Sequence, residues 1–257
     1  MGQGTKIFLV NSVRIAATPD SRLKWLLIGL ILSACQPLSD AAQTVDAANY
    51  QDFWVWGRVN PAPYLSHASE LYVLQGEIGY SRSQQQLVFN SQGMRLTTLA
   101  PARIWLVYRT TTLNWTPALI QALVQRLDSW QRYDNQVIGL QIDFDSATQQ
   151  LTHYAQFLQQ IRQQLPKRYQ LSATGLLDWS HADANTIMAL NQSLDEIVIQ
   201  TYQGKKTIAN YQAYLPALGH LKIPFKIGLV QHGQWLATPN FEKNPYFRGY
   251  VVFLLRQ

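Results

Sequence analysis

Two aspartates, Asp143 and Asp145, close the run Val137-Ile138-Gly139-Leu140-Gln141-Ile142-Asp143-Phe144-Asp145. Side chains on a strand alternate between its faces. Ile138, Leu140, Ile142 and Phe144 therefore make one apolar face, and Gly139, Gln141, Asp143 and Asp145 make the other. Two carboxylates on one face repel when both ionise. That repulsion raises one pKa, so one member keeps its proton and can act as a general acid while its neighbour stays charged. Such a pair titrates as a unit. A helical run, Thr148 to Leu165, follows at once, with Leu151, Tyr154, Ala155, Leu158, Ile161 and Leu165 at helical spacing. Carboxylates at the end of a strand, just before a helix, occupy the place where α/β proteins keep their chemistry. A purely structural role, capping that helix, is the alternative.

The elements that must position this pair can be traced along the chain. Strand-like runs are Phe53 to Arg58, Leu71 to Ile78, Arg103 to Arg109, Val137 to Asp145, Gln170 to Leu177, Glu196 to Tyr202, Phe225 to Val230 and Tyr250 to Leu255. Helical runs are expected at Trp115 to Tyr133, Thr148 to Leu165, Ala182 to Gln192 and Ile208 to Leu218, and the polar stretch Ser81 to Leu99 reads as a hairpin insertion after the second strand. Strands alternating with helices imply a parallel sheet, and eight strands close a (β/α)₈ barrel of TIM type, regular or not. A doubly wound open sheet is the other architecture of this class. No glycine-rich phosphate loop follows the first strand, and no G-x-x-x-x-G-K occurs.

In a barrel every strand delivers its last residues to one rim. Those residues are Trp56, Glu77, Arg109, Asp143, Asp145, Asp178, Trp179, Gln200, Tyr202, Gln231 and His232. Carboxylates supply acid and base, amides bond hydroxyl groups, and flat aromatic faces stack on sugar rings, so this mixture suits a carbohydrate. Each has a plainer role open to it. Trp54, Trp56 and Trp105 could be core, Glu77 and Arg109 an interior ion pair, and His232 a solvated loop residue. There is no H-E-x-x-H and the histidines are scattered, so neither a metal nor a cofactor is expected.

Gly139-Leu140-Gln141-Ile142-Asp143-Phe144-Asp145 resembles the fourth-strand signature of chitinase-type glycoside hydrolases, D-G-x-D-x-D-x-E. Gly139 falls on the glycine, Gln141 on the middle Asp, Asp143 on the last Asp and Asp145 on the catalytic Glu. Gln200-Thr201-Tyr202-Gln203 resembles the sixth-strand M-x-Y-D of the same group, keeping its Tyr. The resemblance implies a substrate-assisted glycosidase acting on N-acetylamino sugars. Asp143 would position the acetamido group, Tyr202 would assist its oxygen, and Asp145 would protonate the leaving oxygen. Asp145 is one methylene shorter than Glu, and Gln141 cannot ionise; both departures bear on activity. A glycan-binding or envelope-assembly protein on the same scaffold is therefore the second expectation. Gln141 to Asp145, Tyr154, Phe157-Leu158, Arg162, Leu165-Pro166 and Leu176 to Trp179 also resemble an uncharacterised family of bacterial lipoproteins. That family is a domain of unknown function with a glycoside-hydrolase-like barrel.

The N-terminus fits that second resemblance. Arg22 and Lys24 precede the apolar run Trp25 to Leu32, and Ser33-Ala34-Cys35 follows. A basic start, a short apolar stretch and small residues form the layout of a secretory signal, too short to span a bilayer. Leu32-Ser33-Ala34-Cys35 resembles a lipobox, which implies lipidation of Cys35, an envelope location and, from Gln36, the outer membrane. A buried cysteine after an uncleaved segment is the plainer reading. The expected organisation is residues 1–35 as signal with an extended start, 36–49 as tether, and 50–257 as the barrel domain. Of the net charge of +6, only +3 lies from Cys35 onward, with no basic stripe, so nucleic acid is not an expected partner. The expected partners are a glycan and, through the anchor, a membrane.

Overall fold

The computed structural model describes residues 42–57, 59–99, 101–236 and 241–256. The signal-like segment, Cys35 and the start of the expected tether lie outside the described residues.

Nine strands matter here: β1 (Asp52–Val55), β2 (Glu70–Ser81), β3 (Gln86–Ser91), β4 (Arg103–Thr110), β5 (Gln136–Asp143), β6 (Gln170–Gly175), β7 (Glu196–Gln200), β8 (Phe225–Val230) and β9 (Phe247–Phe253). Eight of them pair in parallel in the cyclic order β1-β2-β4-β5-β6-β7-β8-β9, and β9 returns to β1. The sheet is thus a closed TIM-type barrel. β3 pairs antiparallel with the far end of β2, from Ser91 against Gly76 to Gln86 against Ser81, so the hairpin expected after the second strand is present.

Helices α1 (Pro117–Gln131), α2 (Leu151–Gln164) and α3 (Ala184–Ser193) fill the connections from β4 to β7. Their ends follow local chemistry. Thr116 Oγ1 accepts from the Leu119 amide ahead of Pro117, and Asp183 accepts from the amides of Asn185 and Thr186. α1 buries Ile120, Leu123, Leu127 and Trp130, and α2 buries Leu151, Tyr154, Leu158 and Ile161. These side chains meet Ile104, Leu106, Leu140, Ile142, Leu171 and Ile197 on the outside of the barrel to form the main core. Each such side chain contributes about 1.5–3 kcal/mol when fully buried.

The barrel departs from expectation in four places. The helix expected over Ile208 to Leu218 is instead two 3₁₀ segments, Tyr211–Ala213 and Leu215–Leu221. Pro216 has no amide to donate to residue 212 and its ring crowds that carbonyl, which forbids a continuous α-helix. Part of the expected tether belongs to the domain. Gln43–Thr44 pair with Gln234–Trp235, and Val45 and Ala47 are buried in the core. β5 ends at Asp143, so Asp145 lies beyond the ladder. Finally, the register of β5 against β4 shifts after Ile104, which faces Val137, while Trp105 faces Gly139. This bulge turns Ile138 toward the barrel interior, where it packs on the cluster containing Trp54 and Trp105. Gly139 is required just there: a Cβ would lie 2.0 Å from the Gln170 carbonyl oxygen.

Candidate functional site

Inside the barrel the inward positions form layers. Trp54, Tyr72, Trp105 and Val198 fill the middle, and Tyr72 stacks on Trp105 with centroids 6.0 Å apart. Gly228 leaves room for this layer, since a Cβ there would meet the Trp54 ring at 2.7 Å. The Trp54 indole donates to Gln141 Oε1 at 2.7 Å, and Gln141 Nε2 donates to Ser172 Oγ at 3.0 Å. Gln141 is fully buried, so it braces the middle layer and does not line the cleft.

Above this layer the C-terminal ends of the strands open into a cleft of about 930 Å³. Asp143, Asp145, Arg109, Asp178, Gln200, Tyr202 and Trp56 all line it, with Phe253, Leu255, Tyr214 and Lys205. The chain brings them from β1, β4, β5, β7, β9 and the loops after β6 and β7. Arg109 joins the two aspartates: its Nε lies 3.9 Å from Asp143 Oδ2 and its terminal Nη2 3.9 Å from Asp145 Oδ2. Neither aspartate caps the helical segment that follows, whose N-terminal residues Ala147 and Gln150 make no side-chain cap bond.

The two carboxylates differ in setting. Asp143 is 5% exposed, whereas the Asp145 side chain is 67% exposed. Burial pushes the Asp143 carboxyl up to about 6; a bond donated by Thr174 Oγ1 at 2.8 Å opposes this, the Asp145 charge adds to it, Arg109 opposes it, and Glu77 adds again. Tyr202 is also buried, and burial followed by the charges of Asp143 and Asp145 drives its pKa well up, so its hydroxyl is a neutral donor. Its ring packs on Phe253 at 5.5 Å, and Trp56 meets the same Phe253 edge-on at 5.4 Å. Asp178 Oδ2 accepts from the Thr148 amide at 3.2 Å. Its Oδ1 and the Trp56 indole nitrogen are buried without a hydrogen-bond partner among the described residues.

The remaining rim residues lie elsewhere. Trp179 is fully buried, donates to the Ser146 carbonyl oxygen at 2.8 Å and packs against Tyr154, so it is a core residue. Gln231 donates to Tyr64 and accepts from the Leu255 amide, beside a separate small hollow. Glu77 accepts from Gln92 and forms no ion pair with Arg109 among the described residues. His232 is exposed and faces a neighbouring groove. Thr174, Tyr214, Phe253 and Lys205 were not singled out from the sequence. Thr174 carried a legible signal, since it alternates with Ser172 and so points inward beside Asp143. Among the described residues no group of three His, Cys, Asp or Glu side chains could hold a metal ion.

No curated protein matches the chain. Among solved structures, it is similar to the spore cortex-lytic enzyme SleL of Bacillus cereus, with 17% identity and a TM-score of 0.43 over 70% of this chain and 50% of that one. This chain thus spans half the length of SleL. It is also similar to a glycoside hydrolase family 18 N-acetylglucosaminidase from Paenibacillus barengoltzii, with 12% identity and a TM-score of 0.42 over 70% of this chain and 68% of that one. The model of a domain of unknown function, DUF3142, matches residues 106–209, the stretch from β4 past Tyr202 that contributes both aspartates.

Proposed function

We propose that the rim cleft binds a glycan containing N-acetylamino sugars and that the protein hydrolyses it. The observation that carries this reading is the pairing of a buried carboxyl titrating at about 6, Asp143, with an exposed one, Asp145, in a cleft walled by Trp56 and Phe253. The resemblance of the run Gly139 to Asp145 to the chitinase strand signature, which keeps Gly139 and Asp143, supports it.

In this mechanism Asp145, which reaches solvent in the cleft, protonates the glycosidic oxygen. The substrate's acetamido oxygen attacks the anomeric carbon, so no second protein nucleophile is needed. Tyr202 donates its hydroxyl hydrogen to that acetamido oxygen. Asp143 accepts from the acetamido N–H, and its own ionisation near pH 6 sets the pH range in which it can do so. Asp145→Asn keeps the shape of the acid but cannot give a proton. It should abolish turnover of chitooligosaccharides and aryl N-acetylglucosaminides while preserving their binding. Turnover undiminished in that variant would sink the assignment.

A second reading, a glycan-binding protein without turnover, is favoured by the shortness of Asp145. A misplacement of about 1 Å can cost ~10²-fold in rate. Binding of these sugars with no turnover by the unaltered protein would select it. We also propose that Cys35 carries a lipid that holds the domain at the outer membrane. Cys35→Ser should then release the protein from membranes, and an uncleaved, unmodified N-terminus in intact-mass measurements would refute the anchor.

A further inference from the structure

The loop after β7 folds into a tight hairpin beside the cleft. Lys206 pairs with Gln203 and Thr207 with Tyr202, and the turn is Gly204-Lys205, with Gly204 at a φ of +59°. Three contacts hold it. The Ile208 amide donates to the Thr201 carbonyl oxygen at 2.9 Å, and the Gln234 amide donates to Thr207 Oγ1 at 2.9 Å. Thr207 also sits so close to Gly233 that a Cβ there would lie 2.6 Å from its hydroxyl. The hairpin is therefore a fixed wall. Tyr202 stands on its cleft side at one end and two lysines occupy the other.

Behind this wall lies a groove of about 390 Å³, lined by Lys205, Lys206, Asn210, His232 and Gln234 among others, with no Asp or Glu in its lining. Lys205 and Ile208 line both the groove and the cleft, so the hairpin borders both. Neither Lys205 nor Lys206 has a carboxylate within 4.0 Å among the described residues, as is also true of Arg132, Lys167 and Lys222. Lys205 in the cleft, with Lys205 and Lys206 in the groove, thus forms a cationic ledge beside a cleft that also holds Asp143, Asp145, Asp178 and Arg109. A neutral sugar chain has no use for that ledge, and an anionic substituent does.

We infer that the Tyr202–Thr207 hairpin reads an anionic substituent on the glycan, through Lys205 and Lys206, so that the ligand is an acidic polysaccharide. This rests on the reading of the cleft as a glycan site. An ammonium is a point charge that accepts carboxylate or phosphate alike, so the inference concerns the anion, and the test separates its two sources.

Three matched probes suffice: chitotetraose, its C6-carboxylated form and its C6-phosphorylated form. At low salt the full chain should bind at least one anionic form about tenfold more tightly than the neutral one, the scale set by two exposed ion contacts. The preference should shrink at 0.5 M salt through screening. In the double variant Lys205→Gln/Lys206→Gln, the ratio of neutral to anionic Kd should fall to about one, with melting temperature unchanged as the check on folding. Which anionic probe binds names the substituent. Equal binding of all three probes, or a ratio untouched by the double variant, overturns the inference alone. Binding of none of them overturns the glycan reading and this inference together.

Discussion

At the floor of the barrel, Asp52, Glu70 and Glu196 surround Lys226, whose Nζ lies 2.9 Å from Asp52 Oδ2, 2.7 Å from Glu70 Oε2 and 3.6 Å from Glu196 Oε2. At the rim, Asp143 and Asp145 share Arg109, which is half exposed and 3.9 Å from each. The floor is saturated. The Tyr72 hydroxyl donates to Glu196 Oε1 at 2.8 Å and lies 3.2 Å from Glu70 Oε2, the Trp105 indole donates to Glu70, Ser172 to Glu196, and Arg103 pairs with Glu70. Burial would neutralise Lys226, but Glu196, Asp52 and Glu70 outweigh it and hold the lysine charged. Burial likewise pushes Glu196 up to about 7, and Glu70 adds to the shift against the pull of Lys226. Lys226 and Arg103 thus face Asp52, Glu70 and Glu196 within one hydrogen-bonded cluster. The rim has no such closure. Asp143 receives one hydroxyl bond, and its neighbour faces solvent. Charges that are closed and balanced hold the barrel together; charges left open at a cleft are free to meet a ligand.

The largest effect should come from breaking the floor. Lys226→Met keeps the stem but leaves buried carboxylates uncompensated, and should cost about 3–5 kcal/mol of stability. Denaturant unfolding at pH 8 would measure it. The loss should shrink at pH 5, where the carboxylates take up protons. A variant as stable as the parent at both pH values would dissolve the contrast between floor and rim.

Next comes Asp143→Asn, with the opposite sign. Burial raises the folded-state pKa of Asp143 above its unfolded value, so the folded state holds the proton more tightly. Its contribution is complete below pH 3.8 and is lost as pH rises through about 6. From those two values the ionised form costs up to about 3 kcal/mol. Asp143→Asn should therefore stabilise the protein at pH 8 and change little at pH 3.5. Unfolding curves across that range would show it, and destabilisation at pH 8 would contradict it.

Thr174→Val should cost about 2 kcal/mol above pH 6, because it removes a hydroxyl bond to a charged group. It should also move the Asp143 titration upward, as followed by carboxyl NMR shifts; an unmoved titration would show that Thr174 does not support the charge. The smallest effect belongs to Trp179→Phe, which loses one neutral hydrogen bond in the core and should cost about 1 kcal/mol. Glycan affinity should stay unchanged in calorimetry, and a lost affinity would return Trp179 to the cleft.

Much of this arrangement could be read from residue types and spacing. The alternation Gly139, Gln141, Asp143 assigned one face of β5, and position at the strand ends placed Trp56, Arg109, Gln200 and Tyr202 at the rim. The helical spacing over Thr148 to Leu165 set α2, because periodicity is local. Tertiary structure alone decided the rest. Parity names a face but not a depth, so nothing local says that Asp143 is buried and Asp145 exposed, or that Trp56 lines the cleft while Trp179 is core. A one-residue bulge against β4 turned Ile138 inward, and Gly139 beside it admits the close approach of Gln170 on the next strand. Lys226 and its carboxylates come from strands at opposite ends of the chain, so their balance exists only once β8 closes beside β7 and, through β9, on β1. Electrostatic settings depend on what surrounds a group in space, and in a closed barrel those surroundings arrive from every strand.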